Sequence, residues 1–324
     1  MEIPAGTGPS PRKLTTSERG RPGFTGSMNG MRRYLTAAGA HAEIAPDQFT
    51  DGGWVLSLDG AEQSHVNLAH PEEIFYEYLR RVGNVVDVMA PAGSPITAVH
   101  LGAGALTLAR YIAAMRPGSA QTAVELEPEL PGFVLEALPL PAGADVRMVV
   151  DDARAALPHV AAPGTVDVLV LDVFTGSDAP AHLTEASFYE EAAQLLSPDG
   201  VMVVNVGDDA GLTFFADQAR VMRSVFADVW CLADRQLLTG LYAGNLVLVG
   251  GRRPLPREWA ASFEAAGPHP AGVLGGEGLG GCIDLSRPSC GARSEALGGI
   301  FRSGGCGTCG SAGHLPGVDL GARP

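Results

Sequence analysis

The chain has 324 residues, 46% of them apolar, and a formal net charge of -14. That length accommodates one sizeable core with a small accessory layer, and the acidity argues against a nucleic-acid partner, whose phosphates attract basic faces, while suiting a cationic substrate. The longest apolar runs, such as VDVLVLDVF at 166–174, carry acids and fall short of the roughly 20 residues that span a bilayer, so no membrane partner is expected.

Residues 1–36 are rich in Gly, Pro, Ser and Arg without sustained periodicity and read as a disordered N-terminal extension. They hold no apolar run of the secretory-signal type, which gives a cytoplasmic location as the expectation. Met28 and Met31 offer alternative starts. Residues 37–90 are expected to form an N-terminal β-hairpin layer and a linking helix. HAEIAPD, GWVLSLDG and AEQSHVNL, within 41–68, alternate in part and are separated by Asp-Gly turns. A helix is predicted from Pro71, with proline in the first turn and Glu72 and Glu73 at its positive end. Ile74, Phe75, Tyr78, Leu79, Val82 and Val86 keep helical spacing along it.

From 91 to 252 the apolar runs ITAVHL, TAVEL, VRMVV, VDVLVLD, GVMVVNV, DVWCLA and NLVLVG alternate with helical stretches, except that the last two are joined by a long loop. Apolar strands interleaved with helices imply an α/β domain of Rossmann-like type, with a mostly parallel seven-stranded sheet covered on both faces. The final pair of strands is expected as an antiparallel edge. Residues 253–274 read as a C-terminal helix and 275–324 as a disordered Gly/Cys-rich tail, whose abrupt change of composition suggests an extension or a shifted reading frame. Cys231 reads as a buried thiol. Cys306 and Cys309 have the spacing of half a zinc site, but Cys282 and Cys290 are too far apart to complete a familiar one, and no metal is expected.

Ligands of such sheets bind beyond the carboxyl ends of the strands. Gly102-Ala103-Gly104 forms the first strand-to-helix turn, where glycine lets the backbone approach a ligand. Thr107 stands where the dinucleotide fingerprint has its third glycine. Glu125 ends the second strand about twenty residues on, where an acid accepts ribose hydroxyls of NAD and S-adenosyl compounds alike. Asp151 and Asp152 end the third strand, in reach of an adenine amino group. Together these ends predict an adenosine site; solvated loop acids are the alternative reading. Asp172 emerges from the apolar fourth strand, where a carboxylate is costly unless paired or used. It is the first catalytic candidate, either to orient an amine, to accept its proton or to hold positive charge; a turn cap is the structural alternative. His65, His70, His100 and His182 are scattered and read as packing or surface residues.

The blocks LDGAEQ (58–63), HPEEIFYEYL (70–79), LGAGALTLAR (101–110), VELEP (124–128), VDDARAAL (150–157) and the run from Val166 to Val206, in this order and spacing, resemble the spermidine synthases, polyamine aminopropyltransferases on the S-adenosylmethionine-dependent methyltransferase fold. The resemblance runs from about Trp54 to Gly250 and marks the chain as a divergent relative. It implies a small N-terminal β layer beside the Rossmann-like domain, a homodimer, and transfer of an aminopropyl group from decarboxylated S-adenosylmethionine to a small-molecule amine such as putrescine. By position, Gln63 resembles the family's glutamine at the cofactor site, Glu125 the ribose-binding acid, Asp152 the adenine-side aspartate and Asp172 the catalytic aspartate. Tyr76 and Glu77 fall on the helix that the family uses near its amine pocket.

The family's Gly-Gly-Gly-Asp-Gly-Gly turn has Ala105 at its aspartate position here, followed by Leu106 and Thr107, and its Asp-Ser-Ser-Asp segment becomes Asp172-Val173-Phe174-Thr175. Asp178 would replace the second acid if its loop folded back. Three readings stay open: aminopropyl transfer, methyl transfer from S-adenosylmethionine, and a non-catalytic nucleoside-binding role.

Overall fold

In the computed structural model, which describes residues 30–175 and 179–285, four antiparallel strands come first. They are β1 (Met31–Leu35), β2 (Ala40–Pro46), β3 (Gly53–Leu58) and β4 (Ala61–Asn67), paired in that order. Asp59 and Gly60, both at positive φ, make the turn between the last two, as the twist of a tight hairpin requires. β1 lies inside the stretch expected to be disordered. Its register against β2, Met31 opposite Ile44, buries Leu35, and Arg33 covers the Phe133 ring while pairing with Glu136. Arginines in a short strand hid this alternation from a reading by composition.

The helix predicted from Pro71 begins six residues later, as α1 (Glu77–Val88). Asn67 explains the delay: its side-chain oxygen accepts from the N–H groups of Ala69 and His70, and its amide donates to Glu73. Local side-chain bonds of this kind compete with helix formation. Phe75 meanwhile turns back to stack on His65, ring centroids 4.4 Å apart.

The main sheet has eight strands, one more than expected, in the order β12-β10-β11-β9-β8-β5-β6-β7. β5 (Thr97–Leu101), β6 (Ala120–Glu125), β7 (Asp145–Val150), β8 (Val166–Thr175) and β9 (Leu196–Asp208) run parallel. β11 (Gly244–Gly251) inserts antiparallel between β9 and β10 (Asp228–Asp234). The edge is therefore not that pair but β12 (Ala271–Gly275), antiparallel to β10 and running from the end of the segment read as a C-terminal helix into the first residue of the predicted tail. Glycines concealed it, yet they are required: a Cβ on Gly275 would come within 2.8 Å of the Trp230 ring.

Helices cover both faces. α1, α2 (Thr107–Met115) and α7 (Glu258–Ala266) enclose one core with Val82, Tyr111 and Phe263. On the other face lie α4 (Leu157–Val160), α5 (Ala186–Leu195), α6 (Thr213–Val225) and α8 (Gly276–Leu285). α8 extends order ten residues into the predicted tail because Leu279, Cys282 and Ile283 are buried there. Cys290, Cys306 and Cys309 lie outside the described residues. The small sheet packs on α2 and α3 (Leu130–Ala137) through Leu35, Ile44, Leu56, Leu106 and Phe133. Among the described residues no helix is long and apolar enough to cross a membrane.

His100, 4% exposed in β5, donates through Nε2 to Gln121 at 2.9 Å, since the Gln121 amide is committed to the Ala109 carbonyl. Burial pushes its pKa down to about 4. The unfolded chain therefore takes up this proton first, and stability present above the ordinary histidine range is lost as pH falls toward 4. Urea titrations should show a loss of about 2–3 kcal/mol between pH 7 and 4.5 that a His100→Gln variant lacks.

Candidate active site

The strand order reverses between β5 and β8, whose neighbours run off in opposite directions. Beyond this point opens a cavity of about 1170 Å³, bounded by the strand ends, by β4 and by the start of α1. The turn after β5 enters it first. Gly102 takes φ +95° with its N–H on the Val124 carbonyl, and a Cβ there would sit 2.5 Å from the Asp172 carbonyl oxygen. Gly104 is equally constrained, because Ser64 of β4 fills the space a side chain would need. The Ser64 hydroxyl accepts from the Ala105 N–H at 3.1 Å, and Thr107 donates to the His65 carbonyl at 2.9 Å. The small sheet is thus bonded directly to the glycine turn. Buried Arg110 closes the turn from below by donating to the Ala105 carbonyl.

Ala105 itself does not face the cavity. Its methyl group is 1% exposed and belongs to the apolar core shared by the small sheet, α2 and α3, so an acid in this conformation would be buried there rather than presented to a ligand.

Glu125 ends β6 half-buried, accepting the Ala103 N–H on one oxygen and the Glu127 N–H on the other. Each oxygen keeps a lone pair. Asp152, after β7, is held by the N–H groups of Arg154 and Ala155 and by the His182 ring at 2.8 Å. Burial pushes its pKa up, but these bonds together outweigh it and hold the carboxyl below the usual range.

Asp172 lies half-buried on β8 at the reversal point. Tyr78 donates to one oxygen at 3.2 Å and the Asn205 amide to the other at 2.8 Å. Burial pushes this carboxyl up, and the two hydrogen bonds oppose that only in part. Asn205 also approaches Asn245 at 3.3 Å, and its own oxygen is buried without a partner among the described residues. At the mouth, Tyr76 donates to Glu62 at 3.2 Å, Glu77 pairs with Arg81, and exposed Gln63 donates to the Ala61 carbonyl on its own strand.

One cavity therefore brings together Gln63, Tyr76, Glu77, Gly102, Gly104, Glu125, Asp152 and Asp172. Asp178 lies outside the described residues. Sequence reasoning missed Ser64, Tyr78, His182 and Asn205. Asn205 carried a usable signal, a polar residue at the end of the apolar run VMVVNV, which is the argument that singled out Asp172. Tyr78 did not, because its spacing is that of a core face.

No family model matches the chain. It is 29% identical over 143 residues to a polyamine aminopropyltransferase of Neisseria meningitidis, covering 44% of this chain and 53% of that protein. A polyamine aminopropyltransferase of Vibrio vulnificus is 26% identical over 195 residues, 60% of this chain and 62% of its own length. The chain thus spans a little over half of the curated relatives it matches. Among solved structures, a probable spermidine synthase from Corynebacterium glutamicum superposes with a TM-score of 0.69 at 28% identity, over 86% of this chain and 100% of that one. Sheet order, cavity position and these likenesses agree: the chain has the fold of the spermidine synthases and is similar to them in sequence.

Proposed function

We propose that this chain transfers an aminopropyl group from decarboxylated S-adenosylmethionine to a small amine. The observation that carries the reading is the convergence of a glycine turn, Glu125, Asp152 and Asp172 from consecutive strand ends on one cavity. Glu125 would hold the ribose hydroxyls with its remaining lone pairs, and Asp152 would lie on the adenine side. The bound donor supplies a carbon activated by the adjoining sulfonium. Asp172 would orient the amine in line with that carbon and take its proton as the C–N bond forms, the electron pair of the broken C–S bond remaining on sulfur. Of the cavity's acids, Glu62 and Glu77 at the mouth suit ammonium groups and disfavour a carboxylate on the donor.

Calorimetric titration separates the donors. Decarboxylated S-adenosylmethionine should bind at least about tenfold more tightly than S-adenosylmethionine, a difference of roughly 1.4 kcal/mol. Glu125→Ala should weaken both by about 10- to 100-fold, through the lost ribose contacts and the unpaired turn amides. Tighter binding of the carboxylated form would overturn the reading.

A further inference from the structure

The groups that hold Asp172 are as specific as the carboxylate itself. Tyr78 stands in the first turn of α1, where side chains project back toward the helix start. Its ring lies parallel to that of Tyr76, interplanar angle 12°, and the Tyr76 hydroxyl is tied to Glu62 on β4. Tyr78 is thereby held from two elements with its hydroxyl on Asp172 Oδ2. Asn205 from β9 occupies Oδ1, and among the described residues no cation is paired with Asp172. The charged groups sharing the cavity are Glu62 on β4, Glu77 and Arg81 on α1, Glu125 at the end of β6, Asp151 and Asp152 after β7, Asp208 and Asp209 at the end of β9, and Asp234 at the end of β10, with neutral His100 behind the turn. Arg81 is committed to Glu77 and to the Pro268 carbonyl. The two neutral donors therefore stand in for a counter-ion: a buried carboxylate stays ionised only as far as hydrogen bonds to its charged form offset its desolvation.

We propose that Tyr78 is a positioning residue, which fixes the plane of the Asp172 carboxylate and sets the pH at which it ionises. This rests on Asp172 being the group that takes the proton from the amine. With one oxygen held by Tyr78 and the other by Asn205, each oxygen keeps lone-pair capacity for a group in the cavity that all three residues line. Removing the hydroxyl would free the carboxylate to rotate and would leave it protonated to higher pH.

The test is a carbon-13 NMR titration of the Asp172 carboxyl in the full chain, its signal assigned by its loss in Asp172→Asn. Tyr78→Phe should raise the midpoint by about one pH unit without changing the far-UV spectrum. An unchanged or lowered midpoint overturns the proposal. A second measurement needs no Tyr78 variant: the ring Cζ of Tyr78 in the otherwise native chain should titrate with the Asp172 midpoint and cease to do so in Asp172→Asn; absence of that step also overturns it. Where aminopropyl transfer is measured, the acid limb of kcat/KM should rise with the NMR midpoint. An NMR shift in a chain that transfers no aminopropyl group would sustain the role of Tyr78 in positioning while removing the proposed activity.

Discussion

Asp172→Asn should lower the rate of aminopropyl transfer by about 10²- to 10⁴-fold, the range typical of a lost general base, while leaving the affinity for the adenosyl donor within about twofold. The two effects separate because Glu125 and Asp152, the groups proposed to hold the adenosine, are anchored by their own turn amides and by His182, not by Asp172. Asparagine preserves the shape of the side chain but cannot take a proton. Stability should move the other way. Burial raises the Asp172 pKa, so the unfolded chain ionises more readily than the folded one. A carboxyl of this kind costs stability as pH rises through the ordinary carboxylate range toward neutrality. The variant should therefore melt at the same temperature or higher at pH 7, with the gain disappearing in acid. A slower enzyme that is at least as stable separates a chemical role from a structural one. An unchanged transfer rate removes Asp172 from the reaction.

The parts of this fold that were legible in the sequence are those where one physical rule acts alone. The parallel strands are apolar because both faces are covered, and the glycine turn, Glu125, Asp152 and Asp172 stand out because polar or flexible residues at such strand ends need a reason. Where a residue answers to two partners, the sequence was mute. Phe75 continues the helical spacing of α1, yet it leaves the helix to stack on His65. Tyr78 obeys the same spacing, but its hydroxyl reaches across to β8. β12 was hidden because close contact with Trp230 and Leu238 forces glycine at Gly275 and Gly272, which removes the side chains by which a strand is recognised.

Ala105 illustrates how a resemblance can mislead about a gap. Matched to the family's turn, it is a lost acid in the amine pocket. In the structure its methyl group belongs to the core between the small sheet and α2, and the adjacent Ser64 hydroxyl occupies its amide. The turn has been absorbed into the packing between the sheets, so Ala105→Asp alone would introduce a buried charge without a partner rather than restore a ligand contact. On the proposed reading, the acids that would meet an ammonium group come instead from β4 and α1, as Glu62 and Glu77, which line the same cavity.

The glycine turn gives the last expected result. Gly102→Ala should destabilise the protein by about 3 kcal/mol, combining left-handed backbone strain with overpacking, and lower its melting temperature by several degrees. Its new Cβ would lie 2.5 Å from the Asp172 carbonyl oxygen and 2.9 Å from a Val173 methyl, so relief requires β5 and β8 to separate at the point where the strand order reverses. That movement carries the Asp172 side chain with it, and donor affinity and transfer rate should fall together. Gly143→Ala is the matched control. Gly143 has φ +83° and open space within 4 Å of where an alanine Cβ would stand, so only the backbone strain of about 1–2 kcal/mol remains and both functions should persist. Equal melting temperatures for the two variants, with transfer retained in Gly102→Ala, would show that the turn is not wedged against the Asp172 strand and that its glycine serves the ligand alone.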